Sequence, residues 1–79
     1  MEDKIRELFG VVLREAPADI TDDTRPATLE KWDSLQHLIL VSSFEEEFGV
    51  DIEPEEVVDM YENFGSFKRI VLGKLGQDQ

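Results

Sequence analysis

The sequence predicts an all-α fold, a small four-helix bundle with three main helices, one short helix and a long first loop. Three observations predict it. Apolar residues recur at helical spacing in the first segment, start and stop residues bracket a second segment between Asp33 and Gly49, and no stretch alternates apolar and polar residues as a half-buried strand does. A length of 79 residues allows one small domain, 1–79, with residues 76–79 as a frayed tail.

Each element has its own justification. In Glu2–Arg14, Ile5, Leu8, Phe9, Val12 and Leu13 fall at i, i+3, i+4, i+7 and i+8, which is one face of a helix, and Pro17 lies just past its end. Residues Glu15 to Trp32 have no sustained period and read as a loop. A loop of that length in a small domain needs a function or internal anchors, and Ile20 and Leu29 are the candidate anchors. The second helix is predicted over Ser34–Phe48, with Asp33 as N-cap, Gln36 at the capping-box position and Gly49 just beyond the last turn. A short third helix, Pro54–Tyr61, starts at a proline suited to the first helical position. Ile52 and Val57 are spaced as a hydrophobic staple around Glu53, a weak capping residue. Val57, Met60, Tyr61 and Phe64 continue the inward stripe. Asn63, Gly65 and Ser66 then predict a break, and a last helix over Ser66–Leu75 buries Phe67, Ile70 or Val71, and Leu75.

Composition excludes several function classes. Nineteen acids against eight Lys and Arg give a formal charge of −11, which repels nucleic acid and anionic membranes and favours basic protein partners. A hydrophobic content of 41% supports a core and argues against an acidic disordered tail. The absence of cysteine rules out disulfides, thiolate zinc sites and a cysteine nucleophile. No apolar run has the length of a membrane span, and the N-terminal residues lack the apolar stretch of a signal peptide, so a cytoplasmic monomer is expected. So short a chain has little room for a buried substrate cleft, and an enzyme is not expected.

The second helix has two faces. At about 100° per residue, His37, Leu40, Val41, Phe44 and Phe48 form a core stripe, while Leu35, Ile39, Ser42 and Glu46 point the other way, flanked by Leu38, Ser43 and Glu45. One or two exposed aliphatics are ordinary on any surface. The alternative is a docking face in which Leu35 and Ile39 pack against a partner and Glu45 and Glu46 steer it. Charge favours the second reading: between Asp33 and Glu62 lie ten acids and no Lys or Arg. Crowding of that kind raises carboxylate pKa values, which predicts a higher melting temperature near pH 6 than near pH 8 at low salt.

Ser34 is predicted as the first residue of the second helix, after a long loop. Free backbone amides and the helix dipole converge there and favour a phosphate group. On position alone the simpler reading is favoured, that Ser34 is a residue that suits a helix start.

Trp32-Asp33-Ser34-Leu35 followed by Phe44-Glu45-Glu46-Glu47-Phe48-Gly49-Val50, then Ile52 and Pro54-Glu55-Glu56, resembles the acyl and peptidyl carrier proteins over nearly the whole chain. The resemblance implies that Ser34, between Asp33 and Leu35, carries a 4′-phosphopantetheine arm added from coenzyme A by a phosphopantetheinyl transferase. The arm's thiol would hold acyl or aminoacyl intermediates as thioesters for acyl-loading and acyl-processing enzymes with basic docking patches. On the two-faced helix the partner contacts expected are Leu35, Ile39, Glu45 and Glu46, joined by Met60, whose unbranched side chain shifts cheaply and makes it the expected gate for the cargo. Two departures point away from primary fatty acid synthesis, toward a stand-alone carrier of a specialised pathway such as polyketide, modified-acyl or aminoacyl assembly. Lys31-Trp32 stands where a small pair is usual, and Ile39 stands where an acid is usual.

Competing readings are weaker on chemistry. A Ser34–His37 hydrolase would have a single histidine, placed on the core stripe, and no built oxyanion site. Asp51, Glu53, Glu55 and Glu62 have calcium-loop spacing, but Glu56 stands where that loop needs glycine, so no metal site is expected. An unmodified acidic interaction module explains the charge and the apolar patch, but not the placement of Ser34. The bulky inward stripe predicts no preformed deep tunnel for a long alkyl cargo.

Overall fold

A computed structural model describes residues 1–76. Over these residues the chain forms α1 (Glu2–Leu13), a 3₁₀ turn (Pro17–Asp19), α2 (Ser34–Phe48), α3 (Pro54–Met60) and α4 (Phe64–Lys74), with no strand. α1 packs on α2 and α4, and the short α3 lies on α4. The expected tail falls mostly on residues 77–79, outside the described residues.

α2 follows its local signals. The Asp33 carboxylate accepts from the Gln36 N–H at 2.8 Å, and Gly49 closes the helix in the left-handed region at φ 66°, a conformation that costs glycine nothing. α3 ends one residue earlier than expected, at Met60. Its weak capping residue is reinforced from inside the helix, where the Glu56 carboxylate accepts from the Glu53 N–H at 2.8 Å.

The start of α4 departs from expectation. Asn63, Gly65 and Ser66 predict a break, yet the helix begins at Phe64, with the Asn63 side chain accepting from the Ser66 N–H at 2.7 Å. The reason lies in the long loop. The N–H groups of Phe64 and Gly65 have no partner within a helix. Here they donate to the carbonyls of Thr24 (2.7 Å) and Asp22 (3.0 Å). The approach is close enough that a Cβ on Gly65 would sit 3.2 Å from Asp22. Lys68 of α4 completes the attachment, with Nζ at 2.7 Å from Asp22 and 3.1 Å from Glu2.

The core is centred on Phe9 of α1. Its ring meets Trp32, Phe64 and Phe67 edge to face at centroid distances of 4.9, 4.8 and 5.3 Å. Ile20 anchors the loop in this core and Leu29 packs at its edge. Trp32, which periodicity leaves in the loop, is a core residue at 1% exposure.

Candidate functional site

Ser34 is exposed at the first residue of α2. The surroundings leave it available. Asp33 makes the cap bond to the Gln36 N–H, and the Asp33 carbonyl takes the His37 N–H, so the N–H groups of Ser34 and Leu35 are the first-turn donors without a partner inside the helix. An oxygen esterified to phosphate at Ser34 would therefore stand beside two open N–H donors at the positive end of a four-turn helix. Of the other serines, Ser42 lies mid-helix on α2, Ser43 is half-buried beside it, and Ser66 is half-buried with its N–H taken by Asn63.

Directly behind Ser34 lies a buried polar chain that sequence reasoning missed. The Trp32 indole Nε1–H donates to His37 Nδ1 at 3.0 Å, and His37 Nε2 lies 2.7 Å from the Val57 carbonyl. The indole can only donate and the carbonyl can only accept. The partners therefore assign the tautomer: Nδ1 is bare and Nε2 carries the proton. His37 is 3% exposed, and burial pushes its pKa below the ordinary histidine value, partly offset by the bond to Val57. With both ring nitrogens engaged, none is free to take a proton from Ser34, which removes the hydrolase reading. The signal that could have found this chain was local. Counting from the Asp33 cap, Trp32 and His37 occupy the two staple positions, with an aromatic and an imidazole where two aliphatics usually sit.

The outward face of α2 carries Leu35 at 65% exposure, with Leu38 and Ile39 also exposed and Glu46 on the rim. Beside it runs a solvent-open groove bounded by Leu38, Val41, Glu45, Ile52 and Val57. Two of the residues expected on this face are engaged within the fold. Met60 is fully buried in the core with Phe44, as its place on the inward stripe demands, so its side chain is not part of the exposed face. Glu45 is half-buried, and its carboxylate accepts from the Ile52 N–H at 2.9 Å, fastening the segment after α2 to the helix.

The acidic half of the chain is also less one-signed in space than in sequence. Lys74 of α4 reaches Glu56 at 2.7 Å, and this bond holds the Glu56 carboxyl below its usual range; Lys68 does the same to Asp22. Of the two, Glu56 lies inside the acidic span, and its shift runs opposite to the direction that crowding demands. The calcium-loop spacing is not realised either, since Pro54–Met60 is helical, and among the described residues no group of three His, Cys, Asp or Glu could hold a metal ion. Among the same residues no helix is long and apolar enough to cross a membrane.

In comparisons with known proteins, residues 3–71 match the family model described as a phosphopantetheine attachment site. The search of curated proteins found no match.

Proposed function

Because the chain belongs to the phosphopantetheine-attachment family of carrier proteins, its match spanning residues 3–71, we propose that Ser34 is its attachment serine and that the chain presents acyl or aminoacyl thioesters to biosynthetic enzymes. The family bears 4′-phosphopantetheine covalently on a serine, and its domains carry intermediates and do not catalyse. The observation that carries the assignment is the position of Ser34: exposed at the first turn of α2, relieved of capping by Asp33, and next to the open N–H groups of Ser34 and Leu35. The residues fit the group. A phosphodiester there gains two backbone donors and a favourable dipole, and Ser34 is exposed to receive it. When attached, the arm supplies the thiol that this cysteine-free chain lacks.

The chain's own residues then present the cargo. Leu35, Leu38 and Ile39 form an apolar landing patch next to Ser34, and Glu46 supplies charge that draws basic partner surfaces, the phosphopantetheinyl transferase first among them. The groove between α2 and α3 is open, and Phe44 and Met60 behind it are fully buried, which favours short or polar cargo held at the surface. Lys31-Trp32 ahead of Asp33, and Ile39 in place of an acid, support a specialised pathway over primary fatty acid synthesis. The test is mass spectrometry after incubation with coenzyme A and a promiscuous phosphopantetheinyl transferase. Wild type should gain one arm, and Ser34→Ala should fold with the same melting temperature and gain none. An arm on the alanine variant would overturn the assignment.

A further inference from the structure

The buried chain Trp32–His37–Val57 joins three parts of the molecule that meet nowhere else through side-chain polar atoms. Trp32 ends the long loop and immediately precedes Asp33 and Ser34. His37 lies one turn into α2. Val57 belongs to α3 and lines the groove beside the docking face. The Val57 carbonyl is available because α3 stops at Met60: the Tyr61 N–H turns back to the Val58 carbonyl at 3.1 Å, which leaves Val57 among the orphan acceptors of a helix end.

We propose that this chain is a positioning device for the attachment site: it holds the Trp32–Ser34 turn and α3 in fixed places against α2, and it does so only while His37 is neutral. The reason is the donor count. A neutral imidazole accepts at Nδ1 and donates at Nε2, which matches an indole and a carbonyl; an imidazolium donates at both. Protonation keeps the bond to Val57 and breaks the bond to Trp32, leaving two N–H donors facing one another in the core. The effect is therefore one-sided, releasing the turn that carries Ser34 while α3 stays attached. The imidazole is faced by Trp32 from the loop, by the ring of Tyr61 just past the end of α3 at 4.7 Å and by Phe67 of α4 at 6.0 Å. Tyr61 is the titratable group among these three, and no charged side chain acts on the imidazole among the described residues.

The part of this inference that concerns modification rests on Ser34 as the attachment serine; the hydrogen-bond chain does not. Trp32 is the sole tryptophan and His37 the sole histidine, so each gives an isolated signal in the unmodified protein. Nuclear magnetic resonance should show the Trp32 indole N–H resonance moving away from its hydrogen-bonded position as pH falls, with the same midpoint as the His37 ring protons. In Trp32→Phe, which keeps an aromatic ring but removes the donor, the His37 midpoint should rise by about one pH unit, the worth of one neutral hydrogen bond. An indole resonance that ignores the His37 titration, or an unchanged midpoint in the variant, would overturn the proposal. The positioning role is read from transferase kcat/KM on wild type divided by that on His37→Gln, which cannot titrate. The ratio should fall by about fivefold from the alkaline to the acid side of the His37 midpoint, again one hydrogen bond, and a flat ratio would refute positioning. Modification of the Ser34→Ala control would instead refute the attachment site, leaving the indole and imidazole signals to judge the chain.

Discussion

Glu45 and Glu46 are neighbours of the same charge on the same helix, yet truncating them should have different consequences. The Glu45 carboxylate accepts from the Ile52 N–H at 2.9 Å in a half-buried setting, and Ile52 is itself a core residue that starts the approach to α3. Glu46 is exposed. A hydrogen bond to a charged acceptor contributes about 1.5–3 kcal/mol. Because water can reach part of this site and replace the lost acceptor, the lower end applies, and Glu45→Ala should cost about 1.5 kcal/mol. For a domain of this size that is a fall of about 6–12 °C in melting temperature. Glu46→Ala, a surface change, should stay within about 0.5 kcal/mol. The assay is thermal and urea unfolding followed by Trp32 fluorescence and circular dichroism. Association with the transferase, measured across ionic strength, should respond in the opposite order: Glu46→Ala slows it and flattens its salt dependence, because rim charges act on encounter rates. Equal stability losses for the two variants would refute the reasoning, since it depends on Glu45 acting as a fastener for Ile52 and not as a rim charge.

Two further predictions follow from the same structure. Ile39→Glu, at 42% exposure on the apolar patch, should leave the unfolding free energy within about 0.5 kcal/mol of wild type and weaken turnover by at least one partner enzyme; unchanged kinetics with every partner enzyme would reduce the patch to ordinary surface. The melting temperature at low salt should fall from pH 7 to pH 4, opposite in sign to what acid crowding alone would give over that range. His37, Asp22 and Glu56 all have lowered folded-state pKa values, through burial for His37 and through bonds to Lys68 and Lys74 for the two acids. A group with a lowered folded value adds stability above its unfolded value and loses it as pH falls through the folded one. The loss begins with His37 below its ordinary value of 6.5 and continues with the carboxylates below 4.5 and 3.8. A melting temperature that rises on acidification would show that repulsion among the remaining acids outweighs these three groups.

The sequence by itself determined the helical class, the bounds of α2 and the place of Ser34. Asp33, Gln36 and Gly49 specify a helix start and stop through bonds that span three or four residues, and the apolar spacing of α1 and α2 needs only the pitch of a helix to be read. Only the tertiary structure decided which polar groups meet. The N–H groups that let α4 begin at Phe64 find their acceptors at Thr24 and Asp22, some forty residues earlier. Lys74 comes from another helix to Glu56, inside a span that contains no base. Met60, expected at the docking face as a gate, lies in the core where its inward stripe points, while Val58 of the same short helix stays exposed. His37 shows the division within one residue. Its spacing from Asp33 and its place on the core stripe were local properties, whereas the choice of tautomer required the Val57 carbonyl, which is left without a helix partner because α3 ends three residues later. Local signals encode where a helix runs; the partner of a buried polar atom depends on which chain ends the packed helices bring within about 3 Å of it.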